Sequence, residues 1–174
     1  MDETMEELIR RIEEDHDVEA MIEVGLRYRA GNGLPKDKDW ALHWLNQAAK
    51  RDYPIAYWMM AVIYLENDDY ENAIRYYEDA ARMGVTMALN DLGLVYLHLE
   101  QYSKAKTWFE RAIRANDPNA MFNVGLMYYN GNGFPVDHRQ ALYWFEQAAE
   151  LNHEGAVTYI HKIQSHYNGE PTEQ

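Results

Sequence analysis

AMIEVGLRYRAGNGLPKD, residues 20–37, returns almost position for position as AMFNVGLMYYNGNGFPVD, residues 120–137. Self-similarity at a long fixed spacing is the mark of a repeat architecture. Two shorter copies lie between them: Ala20, Ala56, Ala88, Ala120 and Ala156 are equivalent points, at periods of 36, 32, 32 and 36 residues. In each unit a small residue (Gly25, Ala61, Gly93, Gly125) precedes a tyrosine by three positions (Tyr28, Tyr64, Tyr96, Tyr128). A second stretch then starts from Ala41, Ala73, Ala105 or Ala141. It runs through Trp44-Leu45, Tyr76-Tyr77, Trp108-Phe109 or Trp144-Phe145 and ends near Ala48, Ala80, Ala112 or Ala148. Each unit therefore predicts a helix–turn–helix.

The turns carry matching punctuation. Gly31-Asn32-Gly33 and Gly131-Asn132-Gly133 permit positive φ after the first helix, Pro35 and Pro135 prevent its continuation, and Asp37 and Asp137 can begin the second. The inner units use shorter connections, at 66–70 and 99–102. Between units, Asp117-Pro118 reads as an N-cap followed by proline at the first helical position, and Pro54 plays a similar part. No segment sustains the alternation of a strand, so the fold class is all-α.

On these residues the chain resembles the Sel-one-like repeats, whose A-x-x-x-L-G-x-x-Y-x-x-G-x-G-x-x-x-D and A-x-x-W-x-x-x-A-A pattern is met by Ala20, Gly25, Tyr28, Gly31, Gly33, Asp37, Ala41, Trp44, Ala48 and Ala49. Ala120, Gly125, Tyr128, Gly131, Gly133, Asp137, Ala141, Trp144, Ala148 and Ala149 meet it again, with Val24 and Val124 where Leu is usual. The inner units lack the G-x-G loop and are similar to tetratricopeptide repeats. The resemblance implies a right-handed α-solenoid whose first helices line a concave surface, used as an adaptor or scaffold for other proteins. The expected organisation is an N-terminal capping helix (1–17), four repeats (18–53, 54–85, 86–117, 118–153), a lone C-terminal capping helix (154–167) and a flexible tail (168–174).

A helical wheel drawn about the small residue of each first helix puts positions −5, −4, −1 and +3 on one arc, held in the first unit by Ala20, Met21, Val24 and Tyr28. This is the packing face. The opposite arc, positions −3, −2, +4 and +5, differs between units: Ile22, Glu23, Arg29, Ala30; Trp58, Met59, Leu65, Glu66; Asn90, Asp91, Leu97, His98; Phe122, Asn123, Tyr129, Asn130. A face that need not pack on its neighbour is free to vary, and solenoids bind through it. Large apolar groups there, set among amides, point to a protein-binding surface. The candidate partner-binding residues are Ile22, Arg29, Trp58, Met59, Asn90, Asp91, His98, Phe122, Asn123, Tyr129 and Asn130. The competing reading folds these aromatics into the protein's own interior. Trp40, whose counterparts Asn72, Lys104 and Gln140 are polar, is expected either on the outer face or stacked over the loop at 35–38.

At the ends, Met5, Leu8, Ile9 and Ile12 form one face of an amphipathic helix opened by a Thr4–Glu7 capping box. Its expected role is a cap, with an acidic docking element as the alternative. Ala156, Ile160, Ile163 and Tyr167 continue an apolar face through a lone first helix, and His161 in the small-residue position is expected to block the approach of another repeat.

The 174 residues carry 29 acidic and 16 basic side chains, net −13, which excludes a nucleic-acid binder working by bulk electrostatics. Residues 1–17 hold −6 of this and Glu170 and Glu173 a further −2, leaving −5 in the repeats. A hydrophobic content of 47% predicts a real core. With no cysteine there is neither disulfide nor thiolate metal site. No basic-apolar leader and no long apolar run appears, so a cytoplasmic location without membrane insertion is expected.

No two of the seven histidines stand three or four apart, the G-N-G turns follow helices rather than strands, and no nucleophile motif is present. No catalytic residue, cofactor or metal is therefore expected. The functional expectation is a non-catalytic interaction module holding a protein segment on its concave face. The alternative is an inhibitor, immunity protein or chaperone-like binder of a basic protein, and self-association is a third course.

Overall fold

The computed structural model describes residues 3–168, with side chains described to residue 165. The tail expected at 168–174 lies, from residue 169, outside the described residues. Among the described residues ten helices follow one another: α1 (Met5–Asp15), α2 (Val18–Ala30), α3 (Lys38–Ala49), α4 (Ile55–Leu65), α5 (Tyr70–Arg82), α6 (Met87–His98), α7 (Tyr102–Arg114), α8 (Pro118–Asn130), α9 (His138–Glu150) and α10 (Glu154–Asn168). Among the described residues there is no strand.

The helices start and stop where local chemistry demands. The side chains of Asp17, Asp37, Asp117 and Asp137 accept hydrogen bonds from the first backbone N–H groups of α2, α3, α8 and α9, and Thr4 with Glu7 closes a capping box on α1. Gly31 and Gly131, at φ 77° and 78°, end α2 and α8 in the left-handed region. The seven-residue loops then fold back, the N–H groups of Asp37 and Asp137 donating to the carbonyls of Tyr28 and Tyr128. Pro54 sits at the N-cap of α4 and makes no side-chain capping bond, so it acts only by restricting the backbone.

A second set of left-handed residues recurs between hairpins. His16, Asp52, Gly84, Asn116 and Asn152, each four positions before the marker alanine, have φ of 54°, 57°, 90°, 58° and 63°. The turn from α1 into α2 therefore has the geometry of every later turn from a second helix into the next first helix. The short turns inside the inner hairpins use Asp68 and Glu100 in the same way.

Two compact units divide the chain, residues 1–88 and 89–174. In the first, α2 packs on α3, α4 on α5, α3 on α4 and α1 on α2. In the second, α7 packs on α8, α8 on α9 and α9 on α10. The marker alanines at 20, 56, 88, 120 and 156 are fully buried, as are those of the second helices at 41, 48, 73, 80, 105, 112, 141 and 148. Large side chains from the second helices fill the hairpins: Leu45, Tyr77, Phe109 and Phe145 are all buried. The small residues meet them. A Cβ on Gly93 would lie 2.4 Å from the Phe109 ring and one on Gly125 2.7 Å from the Phe145 ring, whereas one on Gly25 would lie 3.1 Å from Leu45.

This pairing changes the meaning of His161. The small residue faces the second helix of its own hairpin, not the next repeat. In α10, with no second helix over it among the described residues, His161 is exposed rather than blocking a stack. Trp40 is 48% exposed, and its ring stacks on Tyr28 of α2 at 6.0 Å, with His43 against it at 5.4 Å, in place of the expected stacking over the loop at 35–38.

Candidate protein-binding surface

The arc opposite the packing face lies on α2 and α4 in the first unit and on α6, α8 and α10 in the second. Its residues turn out to join neighbouring first helices. Position −3 of one helix meets −2 of the next: the Asn123 amide donates to Asn90 Oδ1 at 2.9 Å, and Phe122 meets Tyr159 edge-on at 5.5 Å. Position +4 likewise meets +5: Arg29 donates from Nε and Nη2 to the carboxylate of Glu66. That hydrogen-bonded pair holds the Glu66 carboxyl below its ordinary range and raises Arg29. Half exposed, it contributes under about 1 kcal/mol and serves mainly to set register.

Several candidate residues are consequently less available than the wheel suggests. Ile22 is 8% exposed and belongs to the core with Leu8 and Ile12, because α1 lies over α2. Met59 packs against the same core. Phe122 stacks on His153 at 4.2 Å and touches Phe145, while Tyr129 lies against His138 and Tyr159. These two rings are half-buried and pack against the core of the second unit. Asn90 is buried, its amide held between Asn123 and Asp91. Trp58, Asn123 and Asp91 are half-buried; Asn130 and His98 are exposed.

Two further positions lie at the centre of the arc. At 100° per residue, positions +1 and −6 fall between −3 and −2, and between +4 and +5. Position +1 holds Leu26, Val62, Leu94 and Leu126, apolar in all four units, yet none of the four is buried. In α6, Leu94 at 40% and Met87 at 45% exposure stand seven residues apart on one face, on either side of Asn90 and Asp91. In the first unit the corresponding face opens into a cavity of about 600 Å³ lined by Glu23, Leu26, Arg27, Arg29, Ala30, Asn32, Lys36 and Glu66. Leu26 and Leu126 pack against the cores of their units and Val62 is half-buried, so in this row Leu94 is the exposed member.

Among the described residues no group of three or more His, Asp or Glu side chains is placed to hold a metal ion, and no helix is long and apolar enough to cross a membrane. The surface offers amides, one ion pair and uncovered aliphatic side chains. That chemistry can grip another chain's backbone and apolar side chains.

Comparison with known proteins bears on the fold. Residues 18–53 and 118–153 match the Sel1 repeat, and 39–85 and 59–120 match the tetratricopeptide repeat. Comparison with curated proteins finds no match. Among solved structures, c5321, a protective antigen present in uropathogenic Escherichia coli strains that displays an SLR fold, is 25% identical with a TM-score of 0.74. The match covers 95% of this chain and 37% of that one, so the chain spans little more than a third of that relative's length. A Sel1 repeat protein from Oxalobacter formigenes is 24% identical at the same TM-score, over 95% of this chain and 72% of that one. YrrB, a tetratricopeptide protein with an unusual peptide-binding site, shares the fold at 22% identity and a TM-score of 0.62, over 97% of this chain and 87% of that one. With Sel1 repeats at 18–53 and 118–153 and tetratricopeptide repeats between them, the chain belongs to the Sel1-like branch of the tetratricopeptide-like helical repeat proteins.

Proposed function

We propose that the chain is a non-catalytic adaptor that holds a segment of another protein on the inner faces of its first helices, with α6 and α8 as the main contact. The supporting observation is the uncovered aliphatic line, Leu94 with Met87 on α6, running beside the Asn90–Asn123 amide pair. An extended or helical segment laid there would cover the two apolar side chains and find amide donors and acceptors for its polar groups. Anchors of this kind, set among polar neighbours that exclude water, carry most of the energy in protein–protein contacts. A peptide-binding site in the structural neighbour YrrB supports the same use of the fold.

The test is a peptide selected from a random displayed library against the chain, then titrated by calorimetry. Leu94→Glu, a change at an exposed position, is expected to weaken it at least about tenfold with an unchanged melting temperature. Equal affinity for both proteins would remove α6 from the surface.

A further inference from the structure

Four Asn-Gly steps stand in the sequence, at 32–33, 130–131, 132–133 and 168–169, the last beyond the described side chains. Such a step is chemically labile, because glycine has no side chain to shield its backbone nitrogen from the neighbouring asparagine amide. The glycine nitrogen bonds to the asparagine Cγ and closes a five-membered succinimide, while the Cγ–Nδ2 bond breaks and ammonia leaves. Water then opens the ring at either carbonyl, giving aspartate or isoaspartate. In sum, an amide and water become a carboxylate and ammonia. Ring closure needs the asparagine Cγ to swing onto that nitrogen, so a turn held in place must first open locally.

The fold treats the three described steps differently. Gly131 is the C-cap of α8 and its N–H donates to the Met127 carbonyl, so the attacking nitrogen is already engaged. The N–H groups of Gly33 and Gly133 make no hydrogen bond among the described residues. Asn32 and Asn132 are anchored alike through their own N–H groups, to the carbonyls of Arg27 at 3.1 Å and Met127 at 2.9 Å. What differs lies downstream. A Cβ on Gly133 would stand 2.4 Å from the Tyr102 Cβ of α7, Phe134 stacks on Tyr128 at 4.3 Å, and Asn132 is half-buried. A Cβ on Gly33 would meet nothing within 4 Å, and both Asn32 and Gly33 are exposed. Leu34 replaces the phenylalanine, and Tyr28 stacks on Trp40 of α3 instead of on the loop.

We propose that Asn32 is a site of spontaneous deamidation, left open by the fold while the same chemistry is held back at Asn130 and Asn132. The product changes the charge of the first unit's surface. Asn32 lines the cavity of about 600 Å³ whose charged walls are Arg27, Arg29 and Lys36 against Glu23 and Glu66. A carboxylate at residue 32 cancels that excess of cations. It also puts a second carboxylate into the cavity that Arg27 lines, where its Nε now donates to Glu23 at 2.6 Å.

Residues 31–33 and 131–133 are the same triplet, Gly-Asn-Gly, so the chain carries its own control. The full chain is kept in mildly alkaline buffer, either folded or unfolded in concentrated urea, and sampled over several half-lives of the unfolded reaction. Rapid digestion and fragment-ion mass spectrometry then assign the loss of amide to each asparagine. In urea, Asn32 and Asn132 are expected to react at similar rates. In the folded chain Asn32 is expected to lead Asn130 and Asn132 by at least about tenfold, the ratio given by a difference of about 1.4 kcal/mol in local opening. Equal folded rates overturn the proposal, as does an Asn32 amide that stays intact while the unfolded chain loses its own. Phe134→Leu, which gives the second loop the first loop's residue, is expected to speed the loss at Asn132 with an unchanged circular dichroism spectrum. Tyr102→Ala, which removes the ring beside Gly133, takes its place if helix content falls. A loss at Asn132 that neither change speeds also overturns the proposal, since packing is then not what separates the two loops.

Discussion

Gly93 has two opposing claims on it. As a glycine inside α6 it costs about 0.5–1 kcal/mol relative to alanine through backbone entropy. Its missing Cβ, however, is what admits the Phe109 ring, which would otherwise be only 2.4 Å away. Overpacking of a fixed core site costs about 1–3 kcal/mol, so Gly93→Ala is expected to destabilise despite its helix propensity. Gly25→Ala, which meets Leu45 at 3.1 Å, should cost less. Urea unfolding of the two variants orders them, and a more stable Gly93→Ala would show that the Phe109 ring moves aside freely. Glu100 presents the reverse case. At φ 56° it holds a conformation that costs an L residue roughly 1–2 kcal/mol. Glu100→Gly relieves that strain and gives back part of it as chain entropy, for an expected gain of up to about 1 kcal/mol. An unchanged or lower urea midpoint would count against strain at that turn.

At the scale of elements, the α1–α2 turn is held by one carboxylate. Asp17 Oδ2 accepts from Arg11 at 2.6 and 2.9 Å, and Oδ1 accepts from the N–H groups of Glu19 and Ala20 at 2.9 and 3.1 Å. Arg11 first, then the helix N–H groups, lower the Asp17 pKa below its ordinary value. Because the folded pKa lies below the unfolded one, the stabilisation is present in full above the unfolded value of about 3.9 and is lost as pH falls through the lowered one. Asp17→Asn should therefore melt below the wild type at pH 7, with the gap narrowing below about pH 4. A gap of equal size at pH 3 would remove the charge from the account. The helices themselves were legible because small residues, tyrosines and capping aspartates recur in register. The role of α1 was not, since Met5, Ile9 and Ile12 replace the alanines and aromatics of the second-helix pattern. Only the left-handed His16 shows the common turn.

For the whole molecule, the repeat order was written in the marker alanines, whereas the contacts between neighbouring first helices were not. Positions −3, −2, +4 and +5 do differ between copies, as a binding face would. They differ because each pair is matched to its neighbour, Asn90 to Asn123 and Arg29 to Glu66, and this pairing is visible only once the helices are set side by side. The same neighbour-to-neighbour logic governs stability. Repeat proteins sum local hairpin and interface terms instead of sharing one closed core, and here the buried residues include one cluster around Leu45 and Ala48 and another around Phe145 and Ile163. Phe145→Ala removes the ring that fills the α8–α9 hairpin beside Gly125, a loss of about 3–5 kcal/mol for a buried phenylalanine. If stability is local, hydrogen exchange in this variant should speed up across α8, α9 and α10 while the amides of α2 to α4 keep most of their protection. A uniform loss of protection from α2 to α10 would show that the chain unfolds as one cooperative block.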